Sequence, residues 1–155
     1  MTQRPARSMD VPVDLAICSD PENLAFVRRA VERMARQEGF DAGDVDGIVL
    51  ATDEAIANVM KHGYEGRKDC TIHVRLERIA GREGRRGLQM TVRDHGKQVD
   101  PAMIKGRDLN DVRPGGLGVH IIRSVMDEVE YTCPSDGGMQ LRMVKYLPDR
   151  GEASS

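Results

Sequence analysis

The chain has 155 residues, enough for one ordinary domain with its own core, and its 39% hydrophobic and 31% charged content fits a globular protein rather than a fibrous or membrane-spanning one. A formal net charge of -2 and an aromatic content of 3% with no Trp speak against a nucleic-acid partner, which needs basic surface and base-stacking rings. The three cysteines, Cys18, Cys70 and Cys133, lie far apart with no CxxC spacing, so neither a zinc site nor a disulfide framework is indicated and a cytoplasmic, reducing setting is expected. No apolar run reaches membrane-spanning length, and no membrane contact is expected.

The expected domain covers residues 8–148, with short tails at 1–7 and 149–155. Val11, Val13, Leu15 and Ile17 alternate with polar or small residues and predict a first strand, placed at a sheet edge by Pro12. Ser19-Asp20-Pro21-Glu22 predicts a helix start, with Ser19 and Glu22 as a capping box. The helix that follows carries Leu24, Val27, Val31 and Met34 inward and ends near Gly39. Its opposite side carries Arg28, Arg29, Arg33 and Arg36, a solvated face or a docking surface for an acidic protein.

A second helix is predicted from about Asp41 to His62, with Val45, Ile48, Val49, Thr52, Ala55, Ile56, Val59 and Met60 at helical spacing and Gly63 as its stop. Glu54 and Asn58, four residues apart, share one face of it. A carboxylate can take a proton or bind a cation, and a carboxamide oxygen suits Mg²⁺. Taken alone, the two read first as a pair of solvated polar residues on a half-buried helix.

Cys70, Ile72, Val74 and Leu76 then predict a one-sided strand, and the charged stretch from Gly81 to Gly87 a hairpin loop. In the next strand Leu88, Met90, Val92 and Asp94 fall on one face, so Asp94 continues an apolar row and points inward, where a carboxylate needs a partner. From Asp94-His95-Gly96 to Pro114 the sequence is irregular, polar and long for a loop, the kind of segment that is functional or mobile. Gly115-Gly116-Leu117-Gly118 opens a third helix whose inner face holds Leu117, Ile121, Ile122, Val125 and Met126. Two final strands, near Val129–Cys133 and Met139–Leu147, flank the turn Ser135-Asp136-Gly137-Gly138. A dinucleotide-binding fingerprint fails because Ile121 stands where its third glycine would be, and no Lys-containing phosphate loop is present.

The ordered set Glu54-x-x-x-Asn58, Asp94-x-Gly96, long loop and Gly115-Gly116-Leu117-Gly118 resembles the ATP-binding (Bergerat) fold shared by gyrase, the Hsp90 chaperone, histidine kinases and MutL. Within it the chain is most similar to the small anti-sigma factor serine/threonine kinases, over about Val11 to Leu147. The resemblance implies an α/β two-layer sandwich, a mostly antiparallel mixed sheet with helices on one face. It implies ATP and Mg²⁺ as cofactors, with Glu54 as general base, Asn58 as the Mg²⁺ ligand and Asp94 as the adenine reader. Gly96 would pass close under the base, Gly115, Gly116, Leu117 and Gly118 would approach the phosphates, and Arg113 would contact them. His62 also matches, with helix termination as its plain role.

The partner implied is a STAS-domain anti-anti-sigma protein, with a sigma factor and a second copy of the chain as further candidates. Met139 and Gln140 stand after Gly138, where the family commonly has a Thr in the adenine pocket. Two other expectations stand beside the kinase: a nucleotide-dependent module that sequesters its partner without phosphotransfer, and an ATPase whose Glu54 activates water.

Overall fold

The computed structural model describes residues 11–98, 100 and 116–148. The expected tails at 1–7 and 149–155, most of the long loop expected between Gly96 and Pro114, and both Arg113 and Gly115 lie outside the described residues. Strands β1 (Val13–Cys18), β2 (Thr71–Ala80), β3 (Arg86–Arg93), β4 (Glu128–Thr132) and β5 (Gln140–Tyr146) form one sheet in the order β1-β2-β3-β5-β4. Every neighbouring pair is antiparallel. The sheet is therefore wholly antiparallel rather than mixed: β5 folds back as a hairpin on β4 and lies between it and β3. β1 lies at the edge, and Pro12, which has no N–H to give to a ladder, immediately precedes it.

Helices α1 (Leu24–Glu38), α2 (Ala42–Asn58) and α3 (Gly116–Val125) supply the second layer. α1 buries Val27, Val31 and Met34, α2 buries Val45, Ile48 and Ile56, and Ile122 comes from α3. They meet Ile72, Val74 and Leu76 of β2, Leu88, Met90 and Val92 of β3, and Leu141 and Met143 of β5 in one core. Burying such a side chain contributes about 1.5–3 kcal/mol, so this two-sided apolar layer is the main source of stability. Gly47 lets α3 come close to α2: a Cβ there would lie 3.1 Å from Val125 Cγ1. Five of the methionines, Met34, Met60, Met90, Met126 and Met143, are core filling.

Two local expectations are corrected. Ser19 does not cap α1; Asp20 caps the short 3₁₀ turn Pro21–Asn23 that leads into it, accepting from Glu22 N–H at 3.0 Å. Ser19 is buried instead, with its Oγ donating to the Arg67 carbonyl at 2.5 Å and accepting from Cys70 N–H at 3.1 Å. The second helix does not run as an α-helix to His62 either. It changes after Asn58 into a wider turn over Val59–Gly63, closed by Tyr64 N–H donating to the Val59 carbonyl at 2.8 Å. Such π-turns cost hydrogen-bond geometry and occur often at functional sites.

Glu38, the last residue of α1, is buried. Arg78 Nε of β2 approaches its Oε2 at 3.0 Å and Arg86 Nη2 of β3 its Oε1 at 2.9 Å. Two cations thus fasten the end of α1 to the sheet.

Candidate functional site

Two groups of side chains gather around the C-terminal end of α2. The first holds Glu54, Asn58 and Gly118. Glu54 and Asn58 lie one turn apart on a half-buried face of α2, and the first turn of α3 passes directly over them. A Cβ built on Gly118 would stand 2.8 Å from Glu54 Oε2, 3.2 Å from Asn58 Nδ2 and 3.5 Å from Asn58 Oδ1. Only hydrogen at position 118 leaves that contact open. Neither the Glu54 nor the Asn58 side chain has a hydrogen-bond partner among the described residues. Their oxygens are hard donors of the kind Mg²⁺ accepts beside water and phosphate ligands. The backbone of Gly116 and Leu117 opens α3, so its N-terminal end, where free N–H groups and the helix dipole favour anions, faces the same side.

The second group is built on Asp94. The alternation of β3 carries it inward, and it is 2% exposed. Its Oδ1 accepts from Gly96 N–H at 2.8 Å and from Met139 N–H at 3.3 Å. Its own N–H donates to the Met139 carbonyl at 3.0 Å, extending the β3–β5 ladder by one step. Both side-chain bonds fall on Oδ1. Burial pushes the Asp94 carboxyl above its usual value, opposed by the N–H groups of Gly96 and Met139 and by the charges of Arg93 and His95. From behind, Arg93 donates to the Asp94 carbonyl and pairs with Asp136 at 2.8 Å.

The turn after Asp94 is pressed onto the end of α2. A Cβ on Gly96 would lie 2.3 Å from the Gly63 carbonyl oxygen, and Lys97 N–H donates to that same oxygen at 2.9 Å. On the other side, Gly138 adopts a φ of +70° at the β4–β5 turn, and a Cβ there would fall 2.0 Å from the Asp94 carbonyl oxygen. The pairing of Arg93 with Gln140 sets this: it brings the turn that precedes β5 against the end of β3. Both glycines are required for close backbone approach, Gly138 for its left-handed conformation as well. Asn58 and Gly63 are five residues apart, about 8 Å along a helix axis at 1.5 Å per residue. The two groups are therefore neighbours at the same end of α2.

The sequence pattern places Glu54, Asn58, Asp94, Gly96 and Gly118 in these two groups, and the structure brings them together. It does not bring in His62, which is exposed at the end of the turn. It adds Gly63, Tyr64 and Gly138, for which no local signal exists beyond the glycines themselves. A separate open cavity of about 320 Å³ lies against Asp14, Ala16, His73, Arg75, Thr91 and Arg93. It shares only Arg93 with the surroundings of Asp94.

Residues 17–145 match the histidine kinase-like ATPase domain. The chain is 26% identical over 147 residues to the serine-protein kinase RsbW of Listeria innocua, covering 92% of each. It is 28% identical over 144 residues to the RsbW of Bacillus velezensis, covering 87% of this chain and 85% of that one. Among solved structures, that of the RsbU and RsbW domains of a Mycobacterium tuberculosis protein aligns with a TM-score of 0.60 at 18% identity. The alignment covers 90% of this chain and 34% of that longer one. At this identity the likeness is one of fold, and the five-stranded sheet with its three helices agrees with it. No helix among the described residues is long and apolar enough to cross a membrane.

Proposed function

Because the chain belongs to the histidine kinase-like ATPase domain family, we propose that it is an ATP-dependent serine/threonine protein kinase that acts on a STAS-domain anti-anti-sigma protein. The observation that carries this reading is the convergence of Gly118 on Glu54 and Asn58 beside a buried, inward Asp94. The RsbW relatives, named serine-protein kinases and matched over most of their length, support the same reading.

Each residue has a physical role in it. Asp94 presents an acceptor to the exocyclic amino group of adenine. Guanine would set a carbonyl against it, leaving two acceptors face to face and a buried group unpaired, so ATP is preferred over GTP. Gly96, pressed onto the Gly63 carbonyl, lets the backbone of the turn after Asp94 pass close under the base. Asn58 offers its carboxamide oxygen to Mg²⁺. Bound there, Mg²⁺ would neutralise charge on the phosphates. Gly116, Leu117 and Gly118 bring the start of α3 to the same place, and Gly115 and Arg113 precede it in sequence. Glu54, one turn before Asn58, accepts the proton of the attacking serine or threonine hydroxyl. Met139, in place of the family's Thr, holds Asp94 through its backbone N–H.

The outer face of α1 is proposed as the protein-docking surface. Arg28 pairs with Asp53 at 2.7 Å and Arg36 with Glu32 at 2.8 Å. Arg29 and Arg33 are exposed and have no ion pair among the described residues. They are therefore the cations offered to an acidic partner, with a sigma factor or a second copy as other occupants.

Incubation with labelled ATP, Mg²⁺ and a STAS-domain protein tests the proposal. Label is expected on a serine or threonine of the STAS protein, with Mg²⁺ required and GTP ineffective. Bound ATP without transfer would replace the kinase by a sequestering module. Label released as free phosphate alone would replace it by an ATPase.

A further inference from the structure

Tyr64 follows the wide turn that ends α2, and its ring lies 8% exposed against the Gly96 turn. A Cβ on Gly96 would stand 3.1 Å from its Cδ1. Its hydroxyl donates to the Thr71 carbonyl at 2.6 Å and accepts from His95 N–H at 2.8 Å. One side chain thus bonds the first residue of β2 and the residue directly after Asp94, while its own N–H closes the turn of α2. A phenol is neutral at neutral pH and burial raises this one further, so both bonds are made by one neutral hydroxyl. Apart from Tyr64, the segment is held through backbone atoms, by the bonds of Gly96 and Met139 N–H to Asp94 and of Lys97 N–H to the Gly63 carbonyl. His95 is exposed, Gly96 has no side chain to pack, and Asp94 takes its bonds from backbone donors that must stay in register.

We propose that Tyr64 is a positioning residue for base recognition: its hydroxyl clamps the Asp94-His95-Gly96 turn between the end of α2 and the start of β2, in the conformation that presents Asp94 to adenine. The inference rests on the nucleotide reading of the site given above. The clamp ties the base-reading carboxylate to the end of the helix that carries Asn58 and Glu54. Removal of the hydroxyl takes the partner from two part-buried backbone groups at once, the His95 N–H and the Thr71 carbonyl.

The test is Tyr64→Phe, which keeps the ring and its packing. Hydrogen exchange of the protein without nucleotide is read at His95, and affinity for ATP and GTP with Mg²⁺ is read by calorimetry. Transfer to the STAS protein is read at saturating ATP. Val31→Ala, a core change in α1 remote from the turn, serves as the variant of comparable destabilisation. The expected result is exchange at His95 at least about tenfold faster, ATP affinity about tenfold weaker and a smaller preference over GTP. Saturated transfer should stay within about twofold of wild type. Val31→Ala should melt at lower temperature yet bind ATP as wild type does. Unchanged exchange and unchanged affinity in Tyr64→Phe would overturn the clamp, as would an equal loss of ATP affinity in Val31→Ala. Failure of the wild-type protein itself to bind ATP would overturn the nucleotide reading, and the clamp with it.

Discussion

The two halves of the site are built in opposite ways. Around Asp94 nearly every polar group is held: both N–H bonds to Oδ1, the ladder bond to Met139, the Lys97 bond to the Gly63 carbonyl and the Tyr64 hydroxyl. Around Glu54 and Asn58 the side chains have no hydrogen-bond partner among the described residues, and Gly118 passes close over them. The rigid half suits recognition of a flat base, where rejection of a near-isostere depends on a buried group that cannot move to find another partner. The open half suits a charged ligand that brings its own metal, where oxygens must be left available. Damage to the first should therefore change binding, and damage to the second should change chemistry.

The largest expected effect tests the open half. Glu54→Gln keeps size and hydrogen bonding but cannot take a proton at neutral pH. It should cut phosphate transfer by about 10²–10⁴-fold while leaving ATP affinity nearly intact. Single-turnover transfer beside an ATP titration checks this, and transfer at the wild-type rate would remove Glu54 as the base. Asn58→Ala differs in kind and should lose Mg²⁺-dependent nucleotide binding as well.

Gly118→Ala sharpens the same half. The added Cβ meets the ends of two flexible side chains, so the fold should tolerate it, and Ala is the better helix former by about 1 kcal/mol. The melting temperature should hold or rise while transfer falls, by up to about 10²-fold if Glu54 and Asn58 are displaced. A variant that transfers normally would mean that the 118 contact is not part of the phosphate end.

The rigid half is tested by Asp94→Asn. Because burial raises the carboxyl above its unfolded value, the folded protein holds this proton more tightly than the unfolded chain. The stability this contributes is present at low pH and is lost as pH rises through the raised value, so the ionised group costs stability at neutral pH. The neutral amide of the variant carries no such cost. Thermal melts of Asp94→Asn should show unchanged or higher stability at neutral pH, together with weaker ATP binding. In the wild type, ATP affinity should fall as pH drops through that raised value. A large loss of stability at neutral pH would make Asp94 a structural group first.

The smallest effect lies outside both halves. Charge reversal of Arg29 and Arg33 should weaken partner binding and reduce its salt dependence, leaving ATP binding alone. Affinity and salt dependence that stay put would make that face merely solvated.

The sequence shows the inward course of Asp94 because one strand's alternation suffices to place it, and shows Glu54 and Asn58 on one face because helical spacing is local. It does not show what Tyr64, Gly138 or Glu38 do. Tyr64 acts on His95, 31 residues away, and Glu38 on Arg86, 48 residues away, and neither pairing has a local signature. Gly138 reaches Asp94 only through the β3–β5 register. Ser19 misleads for the same reason. Its spacing to Glu22 fits a capping box, yet Arg67 and Cys70, brought beside it by the β1–β2 pairing, take its hydroxyl.

The central claim is that a rigid, buried Asp94 reads adenine. Titration calorimetry of the wild-type protein with ATP and with GTP, each with Mg²⁺, tests it most directly. The account predicts measurable ATP binding with GTP weaker by at least about tenfold, a difference that shrinks in Asp94→Asn. Equal affinity for the two nucleotides in the wild-type protein would contradict it.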